Sequence, residues 1–495
     1  MIVMKFGGTS VKDRAAIERV IEIVRRAPAA AIVPGDGANG RREAPVVVVS
    51  ALAGVTDRLL GIAAEAGAGD IDAARANVRS LRQRHHGMAS VVIDPALRAT
   101  LIADLDREFD ELDRIVGALA VLGEVSPRWL DAIAATGELA SSRIVAAALT
   151  AHGQAAAWVD ARAVVVTNDE FTSAVPVADP TNAAIRAAVE PLLSQGVIPV
   201  VGGFVGATGR GVTTTLGRGG SDFTGAIVGA ALGASEIQIW TDVDGMLTAD
   251  PRVISDPQVV PHLSFEEASE LAYFGAKVLH PATIQPAVRR DIPVRILNSQ
   301  RPEASGTLIT ATRPPGRRAV TAIASKTGVT VVNITSTRML MTHGFLRRLF
   351  EVFERHKTSV DVVTTSEVSV SVTVDDRRRL PAIVADLSEF ADVSSEGDLA
   401  LICAVGDGII TDRAFAGHLL SAVDGVPLRM VSQAASRRNV TIVIAAADLP
   451  AALNRLHDQF FGEADDSLAG GGRESARGAL VGGGLEPAGH SKDPS

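Results

Sequence analysis

The chain has 495 residues, 47% of them apolar and 21% charged, with a formal net charge of −9. That length implies two to four domains, and the acidic balance offers no basic field for nucleic acid or a membrane surface. A single cysteine, Cys403, excludes an intrachain disulfide framework and fits a reducing, cytoplasmic compartment. The start, Met1-Ile-Val-Met-Lys5, lacks the pattern of a signal peptide, and no apolar run approaches the ~20 residues of a membrane span. Lysine is confined to Lys5, Lys12, Lys277, Lys326, Lys357 and Lys492, out of 48 Lys and Arg together. A lysine inside a glycine turn or a buried-looking segment is then needed as a compact ammonium, as Lys5 and Lys277 are.

Residues 2–6 predict a short strand, ending in Lys5-Phe-Gly7-Gly8-Thr9-Ser10. A helix follows, with Ile17, Val20, Ile21 and Val24 on one face. Strand, Gly-Gly turn and helix form an anion-cradling geometry with Lys5 at its lip, or a plain turn with a snorkelling lysine. Residues 33–45 read as a polar surface loop. Val46 to Val49 form a β-branched run expected of a strand buried on both faces. Ser50 to Asp57 follow at its carboxyl end, where α/β ligand sites collect. Residues 58–150 read as several helices, with Glu138 after Gly137 at a helix start, either functional or simply favoured by the helix dipole.

Residues 158–166 predict strand, 181–193 helix and 197–204 a buried strand. Residues 213–224, Thr-Thr-Thr-Leu-Gly-Arg-Gly-Gly-Ser-Asp-Phe-Thr, then open an apolar helix. Glycines flanking Arg218 let backbone approach a ligand closely, and the helix start directs N–H groups and a positive dipole at it. The stretch reads as an anion site in which Arg218 forks onto a carboxylate, or as a glycine-rich loop with Asp222 as a cap. It matches neither the dinucleotide fingerprint nor the Walker loop. Residues 237–240 give the next strand, and Ser264 with Glu267 a capping box for a helix that turns Phe265, Ala268, Leu271 and Ala272 inward. That helix stops near Gly275, just before Lys277, and His280 beside Pro281 reads as structural. With a strand at 292–297, the alternation predicts one α/β domain with a mostly parallel sheet over residues 1–299.

Residues 300–318 form a Pro-containing linker. Beyond it the texture changes to strand at 329–334, helix at 345–353 with Phe345, Leu346, Leu349, Phe350 and Phe353 inward, and strands at 360–363 and 368–374. Strand, helix, strand and strand recur at 399–405, 414–423, 427–431 and 440–445. This is an internal repeat of about 75 residues, giving two ferredoxin-like βαββαβ units at 319–398 and 399–461. Residues 462–495 have no periodicity and are expected to be disordered.

Four motifs, in this order, resemble those of aspartokinases with a regulatory ACT tail: Lys5-Phe-Gly-Gly-Thr-Ser10, Thr214-Thr-Leu-Gly-Arg-Gly-Gly-Ser-Asp222, Trp240-Thr-Asp-Val-Asp-Gly245 and Phe274-Gly-Ala-Lys-Val-Leu-His-Pro281. The resemblance covers residues 1–461 and shows no fused homoserine dehydrogenase. It implies the amino-acid kinase α/β/α sandwich followed by two ACT units, and transfer of phosphate from ATP to L-aspartate, giving L-4-aspartyl phosphate. It implies catalytic roles for Lys5, Asp222 and Lys277. Aspartate would bind through Ser50, Thr56, Glu138, Arg218 and Ser221. ATP would bind through Lys5, Gly7, Gly8, Thr241, Asp242, Leu247, Arg252, Lys277 and Val278, with Mg²⁺ held mainly by its phosphates rather than by protein ligands. Leu247 stands where the family often has Tyr, so apolar contact must replace ring stacking on adenine.

Met339, Thr342, Gly344, Phe345, Leu346, Ser359, Val360, Asp361, Thr365, Ser366 and Glu367 resemble the effector segment of lysine-sensitive members. N–H groups near Gly344 would take an amino-acid carboxylate, and Asp361 a lysine ammonium. Family precedent lends residues 319–326 to the second ACT unit and pairs ACT strands across a homodimer or a dimer of dimers. Two other readings are a different acyl-phosphate-forming amino-acid kinase and a non-catalytic amino-acid sensor. The tandem ACT tail weighs against the first, and the retained Lys5, Glu138, Arg218, Asp222 and Lys277 against the second.

Overall fold

In the computed structural model, residues 1–27, 44–274, 279, 281–312, 318–336, 343–433 and 437–462 are described. Strand β1 (Ile2–Phe6) runs into a 3-10 turn, Gly8–Val11, and helix α1 (Arg14–Arg26). The Asp13 side chain accepts the Ala16 N–H at 2.8 Å and caps that helix. β2 (Val46–Val49) leads into α2 (Val55–Gly67), α3 (Ile71–Met88), α4 (Pro95–Leu122) and α5 (Pro127–Ala151). By length and composition α5 could cross a membrane, in contrast to the expectation that no run comes close, but most of it is buried in the protein core.

β3 (Ala156–Val159), α6 (Ala161–Val164) and β4 (Val166–Thr167) follow, so the strand expected across 158–166 is broken by a helical turn capped by Asp160. α7 (Ala178–Ser194), β5 (Ile198–Gly202), β6 (Val205–Thr208), β7 (Thr213–Thr215), α8 (Gly220–Leu232) and β8 (Glu236–Thr241) come next. β9 (His262–Ser264), α9 (Phe265–Tyr273), α10 (Gln285–Val288), β10 (Val294–Asn298) and β11 (Thr307–Thr310) complete this unit. The capping box between Ser264 and Glu267 forms as the spacing predicts.

The sheet order is β3-β5-β2-β1-β8-β10-β11-β9, parallel at every pair except β10 with β11. Alternate residues of β1 serve opposite layers. Ile2, Met4 and Phe6 pack in one core with α1 to α5, and Val3 packs in the other with α7, α8 and α10. This is the α/β/α sandwich of the amino-acid kinases.

The C-terminal part is an antiparallel sheet flanked by helices. It comprises β12 (Ala322–Thr335), α11 (Phe345–Arg355), β13 (Val363–Thr365), β14 (Ser369–Val374), α12 (Leu380–Ser388), β15 (Asp392–Val405), α13 (Phe415–Ala422), β16 (Met430–Ser432), β17 (Asn439–Ala445) and α14 (Leu449–Phe461). Their order is β13-β14-β12-β15-β17-β16. The strands expected at 319–326 and 329–334 are one continuous β12, bulged near Gly328, whose φ of 76° needs no Cβ. Its first half, Ala322–Thr327, pairs with 400–405 and lies under α13 and α14. Its second half pairs with 392–399 and β14 under α11 and α12. Leu346 and Phe350, expected inward, are 41% and 37% exposed, because α11 turns Phe345, Leu349, Val352 and Phe353 to the sheet instead. Apart from its last two residues, Ala44 and Pro45, the expected loop at 33–45 lies outside the described residues, as does the tail beyond residue 462.

Candidate active site

The carboxyl ends of β1 and β2 form one wall of the site. Lys5 shares the β1 face of Val3, toward α8, and is only 8% exposed. Its ammonium meets Asp222 Oδ1 at 2.6 Å. Asp222 lies in the first turn of α8, which begins after Gly219 in the left-handed conformation at φ 70°. The ion pair thus locks the ammonium where the strand opens.

Gly8 is required by close approach, because a Cβ there would lie 2.9 Å from the Ala51 carbonyl oxygen. That approach lets the turn after β2 cross β1, with Ser50 N–H donating to Phe6 O at 3.0 Å and Ala53 N–H to Gly8 O at 3.2 Å. The Gly7 N–H is not available to a phosphate, in contrast to the expectation. It donates to Trp240 O at 2.9 Å and closes the sheet edge between β1 and β8. Gly8 opens the 3-10 turn, whose first N–H groups have no partner within the turn.

The sequence reading puts Glu138 at a helix start; the structure puts it in the middle of α5. Gly137 serves packing, since a Cβ there would lie 2.8 Å from the Ala51 side chain. This contact presses α5 onto the turn after β2 and leaves Glu138 3% exposed. Burial pushes the Glu138 carboxyl up to about 8, with the Ala51 N–H and the Lys5 charge pulling the other way. Its Oε2 has no hydrogen-bond partner. A buried carboxylate oxygen left so calls for a charged donor.

Arg218 stands between Gly217 at φ 73° and Gly219 at φ 70°. It is exposed and makes no ion pair among the described residues. Ser221 packs on Gly203, where a Cβ would come within 2.7 Å of it. Lys5, Gly8, Ser50, Thr56, Glu138, Arg218, Ser221 and Asp222 all line one cavity of about 700 Å³. Its walls also include Asp131, Thr172, Phe204 and Thr215, which the sequence reading missed. One signal was available, since Asp131 and Glu138 are the only acids in α5 and lie two turns apart on it.

Thr241, Asp242, Leu247 and Arg252 do not line this cavity. Thr241 ends β8, next to β1, and its carbonyl accepts from the Ser299 N–H at 2.8 Å. Asp242 is exposed, and Arg252 is exposed and held bidentately by Asp250. Leu247 bridges to Val259. The adjoining loop grips the C-terminal sheet, as Thr248 Oγ1 pairs with His457 Nε2 at 3.0 Å and Ile323 N–H donates to Thr248 O at 2.7 Å. Lys277, Val278 and His280 lie outside the described residues.

In the C-terminal unit, Gly344 caps α11 at φ 85°, and Phe345 and Leu346 begin the helix. Ser359, Thr365, Ser366 and Glu367 are exposed near the edge strand β13, and Val360 is half-buried. Asp361 is already engaged, by Lys326 at 3.0 Å and by the Tyr273 hydroxyl at 3.0 Å. Met339 and Thr342 lie outside the described residues.

Residues 1–298 match the amino acid kinase family, and residues 402–460 match the ACT domain. The chain is 36% identical to aspartokinase 1, chloroplastic, of Arabidopsis thaliana over 94% of its length and 80% of the relative's. It is 34% identical to lysine-sensitive aspartokinase 3 of Escherichia coli strain K12, over 93% of this chain and 99% of that one. Among solved structures, E. coli aspartokinase III with aspartate and ADP, in its R-state, superposes at a TM-score of 0.77 and 33% identity, over 93% of this chain and 100% of that one. The same enzyme with lysine and aspartate, in its T-state, superposes at 0.75 and 33% identity, over 93% and 99%. The kinase match spans more than half of the chain, and with the identity to these relatives over most of their length the chain belongs to the aspartokinase family.

Proposed function

We propose that the cavity holds L-aspartate between Glu138 and Arg218 while Lys5 guides the γ-phosphoryl group of ATP to its side-chain carboxylate. The carboxylate oxygen forms the new P–O bond, and the bond from the γ-phosphorus to the β–γ bridging oxygen breaks. The electron pair leaves with ADP, and L-4-aspartyl phosphate is the product. It is the first step toward lysine, threonine and methionine. The nucleophile is ionised at neutral pH, so no general base is needed. The barrier is the approach of one anion to another, and positioning and charge neutralisation lower it.

The observation that carries the reading is Glu138 Oε2, buried and unpaired in the wall of a cavity that also presents Arg218 and the Lys5–Asp222 pair. An α-amino acid offers the matching groups, an ammonium for Glu138 and a carboxylate for the Arg218 fork. Ser50, Thr56 and Ser221 supply further hydrogen bonds. Asp222 orients the Lys5 ammonium, and Lys277 contributes a second charge to the phosphates. Thr241, Asp242, Leu247, Arg252 and Val278 receive the nucleotide, beside the Gly8 N–H. Mg²⁺ comes with the nucleotide, held mainly by its phosphates, and supplies further charge neutralisation. Among the described residues no three acids or histidines gather as a ligand set for it.

L-lysine is the proposed effector, bound between the start of α11 and Asp361. The kinase-to-ACT contacts at Thr248 and Tyr273 would carry the signal. The exposed apolar residues Leu346, Phe350, Val363 and Val368 favour a homodimer or a dimer of dimers through the ACT units. Trapping of the acyl phosphate by hydroxylamine, with aspartate, ATP and Mg²⁺ supplied, tests the activity. Aspartate-dependent hydroxamate is expected, and its absence from folded protein would overturn the reading.

A further inference from the structure

Asp131 is a buried acid that the phosphoryl transfer does not use. It is 1% exposed and makes no salt bridge among the described residues. Its Oδ1 accepts the Thr215 hydroxyl at 2.6 Å, and its Oδ2 accepts the Thr215 N–H at 3.1 Å. The Thr172 N–H reaches both oxygens, at 3.1 and 2.9 Å. Thr172 is β-branched yet sits at φ 71°, a conformation that persists only when its surroundings impose it. The two segments are also joined directly, by the Ala174 N–H donating to Thr215 O at 2.9 Å. Gly217, at φ 73°, lies close under this segment, and a Cβ there would come 3.3 Å from Thr172 O. Thr215 ends β7, three residues before Arg218.

We propose that Asp131 is a positioning residue for the amino-acid substrate: from α5 it holds the strand end that carries Arg218, so that the groups reading the substrate's carboxylate and ammonium hang from one helix. Glu138 stands two turns further along the same helix. Its distance to the Arg218 loop is then set by a rigid rod rather than by a flexible glycine turn. An arginine fork needs such support, because its bidentate geometry tolerates little displacement. The inference rests on the reading of Arg218 as the carboxylate ligand.

The test is steady-state kinetics of the full chain carrying Asp131→Asn, Thr215→Val or both, with Arg218→Ala as the control. The amide that replaces one carboxylate oxygen turns an acceptor into a donor facing N–H groups. Thr215→Val removes one donor and leaves the fold's backbone bonds in place. Asp131→Asn is expected to raise the aspartate KM about tenfold and Thr215→Val about threefold, with the ATP KM and kcat within about twofold. The double variant should show less than the product of the two effects. Equal losses for both substrates, a fall in kcat alone, an unchanged aspartate KM or fully multiplicative effects would each overturn the inference. If Asp131→Asn does not fold, Thr215→Val decides by the same KM split. An unchanged aspartate KM in Arg218→Ala would instead sink the assignment of Arg218. A raised one beside a normal Asp131→Asn sinks only the positioning role.

Discussion

The Tyr273 hydroxyl donates to Asp361 Oδ1 at 3.0 Å, tying the last residue of α9 in the kinase domain to the segment entering β13 in the ACT sheet. Burial and the Asp361 charge push the Tyr273 phenol up to about 12, so it stays a donor at any working pH. Asp361 also holds Lys326, which reaches Asp375 at 2.7 Å. Under the proposed effector site, an ammonium arriving at Asp361 would compete with groups already there. Tyr273 directly precedes Phe274, four residues before Lys277 in the sequence.

Two variants separate the roles of that pair. Asp361→Ala should abolish lysine inhibition and leave uninhibited turnover near normal. Tyr273→Phe removes only a competitor, so the lysine concentration for half-inhibition should fall severalfold. Titration of lysine against activity measures both. Unchanged inhibition in Asp361→Ala would remove that residue from the effector site, and weaker inhibition in Tyr273→Phe would mean that the hydroxyl helps to bind the effector.

Lys5 is mostly buried and paired with Asp222, and under the proposed mechanism its charge matters most as negative charge shifts in the transition state. Lys5→Met should lower kcat about 10²–10³-fold and change the aspartate KM much less. Asp222→Asn should produce part of that loss by freeing the ammonium. Near-normal turnover in Lys5→Met would refute its role.

Arg218→Ala should raise the aspartate KM far more than the ATP KM, because the loop's side chain enters the cavity with Glu138 rather than the edge at Thr241. Competition by aspartate analogues lacking the α-carboxylate offers an independent check. They should bind the variant and the native enzyme equally.

Much of this site could be read from the chain. Arg218 between two glycines, and Lys5 just before Gly7 and Gly8, announced backbone at close quarters, and the structure brings both to one cavity. Glu138 was legible as a lone acid, but its place was not. Gly137 suggested a helix boundary, whereas it is there because two helix-bearing segments touch at Ala51, a contact more than 80 residues distant in sequence. Gly7 failed for a related reason, since its N–H is claimed by Trp240, a partner on another strand. The strand break at Asp160 and the continuous β12 depend on caps and cross-strand pairing, which periodicity alone does not carry.

The pH dependence of Glu138 gives the last prediction. Burial pushes its carboxyl up from the ordinary 4.5 to about 8, because it disfavours the charge. If Glu138 takes the substrate ammonium as proposed, binding needs the ionised form, so kcat/KM for aspartate should rise with pH and level off above about 8. Glu138→Gln should raise the aspartate KM strongly and erase that limb. The stability effect has the opposite sign. The folded state keeps this proton to a higher pH than the unfolded chain does, so the contribution is full below 4.5 and is lost as pH rises toward about 8. Without substrates, Glu138→Gln should therefore melt progressively higher than the native protein as pH rises from 6 to 9. Melting curves that stay parallel over that range would show that the carboxyl is not held neutral by burial, and would leave Glu138 ready-charged for its ligand.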